Sequence, residues 1–258
     1  MKKLDLLFLG TCAADFSPKL KTDFKDCFDK DARRASCALL DGHILIDAGP
    51  HLLDSMRIAG IGSEAITDVF ITHLHSDHFS PENIAKIASQ KTEALRLYVR
   101  YDAEIPEIPN TEVIKMNDFD GCKTGEFTVT GLPANHDKSA CPRWLLFEKG
   151  DKKLLYATDG GWICNDTYYY LRNSGLDLLI MDCTCGEEEG EYRIGEHNTI
   201  PMIRLMLPSF KTFGLINEST SVILTHLAPS LHKPHDEIQK LFEKDSITVA
   251  FDGMKIKL

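Results

Sequence analysis

The stretch Thr72-His73-Leu74-His75-Ser76-Asp77-His78 places three histidines and one aspartate within six residues. It follows the apolar run 69–72 and precedes a predicted helix that Ser80 caps and Pro81 begins. Imidazole and carboxylate groups are the ligands that borderline divalent metals such as Zn²⁺ prefer. A polar turn exposed to water would not need three of the chain's 10 histidines at this spacing. The stretch therefore predicts a metal site in a loop between a strand and a helix.

Apolar runs on both sides of this stretch predict an α/β fold. The predicted strands span residues 6–9, 44–46, 69–72, 95–99, 127–129, 154–157, 178–181, 222–224 and 247–251. A second predicted helix near the end of the chain carries Ile238, Leu241 and Phe242 on its apolar face. Strands alternate with helices without internal repeats, which indicates one layered domain over residues 1–258. The charged segment 15–36 is predicted to be a surface loop.

Three further residues of metal-binding type each follow an apolar run. They are His136, Asp159 and His226. Ligands gathered at strand ends are how layered α/β folds usually build a site. Taken singly, each has an ordinary interpretation, because an aspartate before two glycines is a common turn residue and a histidine after a strand is often a polar cap. Together with the first cluster they complete a set of ligands.

The seven residues resemble, in order, the ligand set of the metallo-β-lactamase superfamily. The set consists of His73, His75, Asp77 and His78 as HxHxDH, followed by His136, Asp159 and His226. The turns Leu9-Gly10-Thr11 and Ile46-Asp47-Ala48-Gly49 are also similar to turns of that family. The resemblance spans most of the chain and implies a four-layer αββα sandwich. Asp47 would then fix a ligand imidazole through its other nitrogen, although it also fits a plain β-turn.

The resemblance implies two divalent metal ions at one centre. Metal one would be held by His73, His75 and His136, and metal two by Asp77, His78 and His226. Asp159 would bridge both ions. Such a pair shares a water that ionises near neutral pH, so no nucleophilic side chain is needed, and Asp77 is counted among the candidate catalytic residues. Zinc and manganese are the expected ions, and the nitrogen and oxygen ligands also accept iron or nickel.

A second candidate catalytic residue, His197, indicates the branch of the family. It lies in Glu196-His197-Asn198-Thr199, just before a predicted helix, where a histidine can donate a proton to a leaving alkoxide and helix-end amides can hold an anion. A surface histidine at a helix cap is the alternative. The arrangement is similar to the phosphodiesterase branch, which includes ribonuclease Z and the phosphoribosyl cyclic phosphodiesterases. The ending 249–254 is also similar to the latter group.

The resemblance thus implies a hydrolase of a small cyclic phosphate or a nucleotide phosphodiester, acting through a hydroxide that bridges the metals. Three alternatives stay open on the same fold. The first is a lactone, thioester or β-lactam hydrolase, in which the metals would stabilise an oxyanion. The second is an iron redox enzyme, and the third is a metal-binding protein without turnover.

Composition limits the partners. The formal net charge is −10 at pH 7, which repels nucleic acid, so a small-molecule phosphodiester is expected rather than a large nucleic acid. No stretch approaches the roughly 18 apolar residues that a membrane span needs. We therefore expect a cytoplasmic protein with no membrane partner. A homodimer is compatible with the sequence.

The eight cysteines form no CxxC pair, and most are predicted to be buried thiols. Members of this branch often carry a cysteine-rich structural metal loop after the first strand. Here only Cys27 lies near that place, with Cys12 and Cys37 flanking it, so a structural zinc is not predicted.

Two more sets of residues carry an expectation. His232 and His235, which follow the last candidate ligand, are predicted to be surface residues. Arg143, Trp144 and Trp162 are candidates for the wall of a substrate pocket, with ordinary packing or solvation as the favoured interpretation.

Overall fold

The computed structural model describes residues 3–188 and 190–258. Its strands are β1 (Asp5–Gly10), β2 (Cys37–Leu40), β3 (Ile44–Ile46), β4 (Asp68–Phe70), β5 (Leu95–Arg100), β6 (Thr111–Met116), β7 (Gly121–Thr124), β8 (Phe127–Pro133), β9 (Arg143–Lys149), β10 (Lys152–Ala157), β11 (Leu178–Asp182), β12 (Ser221–Thr225), β13 (Ile247–Val249) and β14 (Lys255–Lys257). The α-helices are α1 (Leu52–Ala59), α2 (Pro81–Ala88), α3 (Asn165–Tyr170), α4 (Ile200–Thr212) and α5 (His235–Leu241).

The strands form two mixed seven-stranded sheets. The first has the order β14-β1-β2-β3-β4-β5-β6 and the second the order β13-β12-β11-β10-β9-β8-β7. Strands β3 to β6 run parallel in the first sheet, and β10 to β13 run parallel in the second. The carboxyl ends of the parallel strands in one sheet therefore meet at one edge.

Alternation along the strands explains how the sheets stack. In β10, Leu154 and Tyr156 face the other sheet, whereas Leu155 and Ala157 face the helices. Successive side chains of a strand point to opposite faces, so a strand covered on both faces is apolar at every position. The core between the sheets includes Phe70, whose ring stacks on Tyr98 at 4.0 Å.

Helices cover both outer faces of the two sheets. Leu52 of α1 and Ile84 of α2 pack against the first sheet, and Ile203 of α4 and Ile238 of α5 pack against the second. The order of layers is helix, sheet, sheet, helix, and the predicted αββα sandwich is confirmed.

The start of α2 fixes the loop that carries the 72–78 stretch. Pro81 is its first residue, and the hydroxyl of Ser80 accepts from the backbone N of Asn83 at 3.3 Å. The Asn83 amide in turn donates to the carbonyl of Gly49 at 2.8 Å. Both the predicted cap and the predicted helix are therefore present.

The nine predicted strands are all present, but five strands escaped the sequence. Strands β6 and β14 lie at sheet edges and are mostly exposed, so their polar sequences carry no apolar run. Strand β13 ends at Val249 rather than at residue 251. The missed β2, β7 and β9 pair antiparallel with strands that were predicted.

The predictions for the segment 15–36 and for two histidines need correction. Residues 33–36 are buried, so the segment is not wholly a surface loop. His235 is also buried, and its Nδ1 lies 3.0 Å from the buried guanidinium of Arg33. The same guanidinium donates to the carbonyl of Ala250 at 2.6 Å. His232 is half-buried, and its Nε2 lies 2.6 Å from the carbonyl of Cys183.

Fewer of the thiols are buried than predicted. Cys12, Cys37, Cys183 and Cys185 are buried, whereas Cys27 is exposed and the other three are half-buried. Burial raises the pKa of the Cys185 thiol to about 12. Across residues 3–188 and 190–258, no helix has the length and apolar character needed to cross a membrane.

Candidate metal centre

Three imidazoles converge at the end of the 72–78 loop. Nε2 of His73 and Nε2 of His136 each lie 3.1 Å from Nδ1 of His75. His73 and His75 lie in the loop that follows β4, and His136 follows β8 of the other sheet. The three nitrogens are therefore close enough to hold one metal ion between them.

A second group of ligand atoms lies beside the first. Nε2 of His78 lies 3.2 Å from Nε2 of His226. An oxygen of Asp77 lies 3.3 Å from the former and 3.7 Å from the latter. This group joins the loop after β4 to the end of β12 and so also draws on both sheets.

The buried carboxylate of Asp159 contacts both groups. Its Oδ1 is 3.1 Å from Nε2 of His226 and 3.9 Å from Nε2 of His73, and its Oδ2 is 3.1 Å from Nε2 of His78. The two oxygens thus point to different sets of imidazoles. The structure brings all seven candidate ligands together.

The backbone at these strand ends is strained. Asp47, Asp159 and His226 all have left-handed φ angles, of 66°, 50° and 56°. Such conformations of residues other than glycine cost roughly 1–3 kcal/mol each and cluster at functional sites.

The donor set fits divalent cations. The ring nitrogens of His78 and His226 face each other at 3.2 Å, an arrangement that needs a proton or a cation between them. The buried Oδ2 of Asp159 has no aligned hydrogen-bond donor among the residues that the structure describes. Nitrogen and carboxylate oxygen are ligands that Zn²⁺ and Mn²⁺ both accept.

The electrostatics keep Asp159, His73 and His136 in the forms that bind metals. Burial alone would lower the pKa of His78, but the surrounding carboxylates raise it well above that of free histidine. Burial alone would raise the pKa of Asp159, but the imidazoles of His226, His78 and His73 hold it well below its usual range. Burial lowers the pKa of His73 well below that of free histidine, and it lowers the pKa of His136 as well. An ionised carboxylate and a neutral imidazole are the forms that bind a metal without first losing a proton.

Asp47 stands behind one of the candidate ligands. Its Oδ2 lies 2.7 Å from Nδ1 of His78, and its Oδ1 accepts from the backbone N of Thr72 at 2.7 Å. This contact orients the ring so that Nε2 faces the centre. The structure therefore supports the interpretation of Asp47 as a positioning residue over that of a plain turn residue.

Thr184 plays the same part for His226 and was missed by the sequence reasoning. Its hydroxyl lies 2.7 Å from Nδ1 of His226 and 2.7 Å from Oδ1 of Asp182. Asp182 ends β11, next to β12, just as Asp159 follows the end of β10. Its place at a parallel strand end was the signal in the sequence that could have drawn attention to this pair.

His197 lies beside Asp182 and His226 at the edge of the candidate metal centre. Its Nδ1 is 2.6 Å from Oδ2 of Asp182, and its ring is 4.9 Å from that of His136 and stacked at 5.5 Å on that of His226. Burial alone would lower the pKa of His197, but the Asp182 carboxylate raises it to about 9. The Asp182 carboxylate thus favours the protonated form of the His197 ring.

The expected anion site at the amides of α4 is not available. The hydroxyl of Thr199 accepts from the backbone N of Met202 at 3.3 Å, and the backbone N of Ile200 donates to the carbonyl of Gly186 at 2.8 Å. Pro201, between them, has no N–H. The first amides of the helix are therefore already satisfied within the protein.

The three candidates for the wall of a substrate pocket differ in their exposure. Arg143 is buried between the sheets and donates to the carbonyls of Ile71 and Tyr98 at 3.0 and 2.8 Å. Trp144 is also buried, so both side chains serve packing. Trp162, by contrast, is 46% exposed.

Comparisons with known proteins agree with this geometry. Residues 43–227, more than half of the chain and including all seven candidate ligands, match the family model of the beta-lactamase superfamily domain. The ribonuclease Z of Thermobifida fusca is 37% identical over 115 residues, which cover 37% of this chain and 36% of that protein. The ribonuclease Z of Pyrococcus furiosus is 23% identical over 225 residues, which cover 78% of this chain and 72% of that protein.

A solved structure shows the same fold. A diphosphatase of the PhnP family superimposes with a TM-score of 0.72 at 17% identity, covering 100% of this chain and 98% of that one. At that identity the likeness establishes the architecture alone. With the family match over 43–227, it shows that this chain belongs to the metallo-β-lactamase superfamily.

Proposed function

We propose that this protein is a metal-dependent phosphodiesterase that hydrolyses a small cyclic phosphate or a nucleotide phosphodiester. The observation that carries the proposal is the Asp182–His197 pair, in which an imidazole lies 2.6 Å from a buried carboxylate and beside the candidate metal ligands. A departing alkoxide needs such a proton donor. The names of the two curated relatives, both ribonuclease Z, support a phosphodiester as the substrate class.

In this proposal the cluster holds two divalent ions, zinc or manganese, with iron or nickel as alternatives. His73, His75 and His136 would hold metal one. Asp77, His78 and His226 would hold metal two, and Asp159 would be shared by the two ions. When bound, the ions supply an ionised water as nucleophile and neutralise the charge on the phosphate oxygens. Asp77 is both a ligand and a carboxylate in contact with the reacting centre.

The chain itself supplies the proton and the orientation. As the bond from phosphorus to the leaving oxygen breaks, that oxygen takes the proton from Nε2 of His197. Asp182 holds the opposite nitrogen at 2.6 Å and stabilises the charged ring before transfer. Thr184 links Asp182 to the ligand His226, so proton donor and ligand keep a fixed relative position.

A small substrate is favoured over a large nucleic acid, and residues 1–258 act as one domain in this proposal. The formal net charge of −10 opposes the binding of a polyanion, which depends on lysine and arginine contacts to phosphates. An RNA is the natural competitor, because the curated relatives are named ribonuclease Z. It belongs in any substrate panel.

The test compares substrate classes on metal-stripped protein reloaded with Mn²⁺ or Zn²⁺. The panel contains bis-p-nitrophenyl phosphate, a p-nitrophenyl carboxyl ester, a chromogenic lactam and a precursor tRNA. Cleavage of the phosphodiester alone, only with metal, is the expected result. Turnover of an acyl substrate without cleavage of the phosphodiester would overturn the proposal while leaving the metal centre in place. Efficient cleavage of the tRNA would overturn the preference for small substrates.

A further inference from the structure

Three large apolar side chains are exposed in the chain segments that carry Asp159 and His197. Trp162 is 46% exposed, and Tyr192 and Ile194 are 86% and 41% exposed. Trp162 follows Asp159 by three residues, and the other two precede His197 by five and three residues. Aromatic rings of this size usually bury most of their surface in the fold.

The backbone fixes Trp162 against the segment that carries His197. The backbone N of Gly161 donates to the carbonyl of Glu196 at 2.8 Å. A Cβ at Gly161 would lie only 3.0 Å from the backbone N of His197 and 3.0 Å from the carbonyl of Ile194. The glycine thus permits a close approach of two chain segments. The backbone of Trp162 therefore lies next to the segment that carries His197, and its side chain reaches solvent.

The turn at Gly160 and Gly161 also covers Trp144, the other tryptophan of the chain. A Cβ at Gly160 would lie 2.8 Å from Nε1 of Trp144, which is packed beneath the turn. Among the residues that the structure describes, no aromatic ring is stacked on Trp162. By contrast, the exposed Tyr169 has the ring of Phe213 at 5.5 Å. Trp162 is thus an exposed aromatic ring at the site whose faces are not taken by another ring.

We propose that Trp162 stacks on the nucleobase of a nucleotide substrate and holds it on the leaving-group side of the centre. This inference rests on the proposed phosphodiesterase function and names its substrate class. Stacking on an aromatic ring contributes to the binding of any base, because every base presents a π-face. The side is set by His197, which donates its proton to the leaving oxygen and packs on the same turn.

Two cyclic phosphates with the same five-membered ring test the idea in metal-loaded protein. Adenosine 2′,3′-cyclic phosphate carries a base, whereas glycerol 1,2-cyclic phosphate does not. For Trp162→Ala we expect kcat/KM for the adenosine substrate to fall roughly tenfold or more through KM, with the glycerol substrate unchanged. Trp162→Phe should restore most of the loss. Tyr169→Ala, an exposed aromatic ring away from the turn, is the matched control and should change neither value.

Fluorescence gives a readout that does not depend on turnover. Trp162 is the exposed one of two tryptophans, so adenosine monophosphate should quench a part of the emission that glycerol phosphate leaves untouched. Trp162→Phe should remove the quenched part and leave the emission of Trp144. Trp162→Ala should also bind the nucleotide more weakly in equilibrium dialysis.

The outcomes separate the two proposals. Equal losses for both cyclic phosphates, or no change in either, would overturn the stacking role. Absence of quenching by adenosine monophosphate would overturn it as well. If the wild-type protein hydrolyses neither cyclic phosphate nor any other phosphodiester, the proposed function fails. Quenching and dialysis then still decide whether Trp162 binds a base.

Discussion

The two halves of the candidate metal centre differ in what surrounds their ligands. On the metal-two side, His78 and His226 are fully buried, and their outward nitrogens lie 2.7 Å from Asp47 and Thr184. On the metal-one side, the side chains of His73 and His136 are buried as well, and Nδ1 of His73 lies 3.1 Å from the hydroxyl of Thr72. The His75 side chain, by contrast, is 39% exposed, and its outward nitrogen lies 3.4 Å from the exposed Asp137.

The difference indicates which ligand imidazoles are held in place before a metal ion binds. A buried hydrogen bond to the outward nitrogen fixes the tautomer and the angle of a ligand imidazole and raises its basicity. A contact between two exposed groups contributes little, because water competes for both and the side chains lose freedom. We therefore expect the metal-two position to bind its ion more tightly, and the metal-one position to exchange its ion more readily.

Asp159→Ala should have the largest effect, because it removes the group that the two halves share. Both ions should be lost together, and metal-dependent turnover should become undetectable. Metal content by mass spectrometry and hydrolysis of bis-p-nitrophenyl phosphate measure this, with circular dichroism as the control for folding. A folded variant that keeps two ions and normal turnover would show that Asp159 bridges nothing.

His197→Ala tests the buried side of the centre without substituting a candidate ligand. Turnover should fall by roughly 10²- to 10⁴-fold, the range typical of a lost general acid, while metal content stays intact. A substrate with a p-nitrophenolate leaving group should lose much less, since that group departs without a proton. Loss of the metals, or an equal loss for both kinds of leaving group, contradicts the assigned role.

Asp47→Asn sharpens the comparison at metal two. Affinity for one of the two ions should fall by about 10- to 100-fold, the usual effect of removing the partner of a ligand imidazole. Titration of the stripped protein with Zn²⁺ should show one weakened and one unchanged binding step. Equal weakening of both steps would mean that the two halves are not held separately.

Asp137→Asn is the matched change on the exposed side and should have the smallest effect. An exposed pair contributes at most about 1 kcal/mol, so the affinity for metal one should fall by no more than roughly fivefold. The same titration measures it. A loss as large as that of Asp47→Asn would break the comparison, because exposure would then not limit the contribution of Asp137.

Much of the fold follows from local pattern. The run 178–181 predicts β11, and Ser80 with Pro81 predicts the start of α2, because strand burial and helix capping depend on neighbouring residues. Edge strand β6 could not be found in this way, since its exposed residues need not be apolar. The burial of His235 was missed for another reason: its partner Arg33 is 202 residues away.

The sequence by itself determined the chemistry of the centre, because the HxHxDH stretch states its ligand types within one loop, and the apolar runs determined the layered architecture. Only the tertiary structure decided which groups stand behind the ligands. Asp47 and His78 are 31 residues apart, and Thr184 and His226 are 42 apart. Such pairs form through the register of strands in two stacked sheets, and no local pattern encodes that register across so many residues.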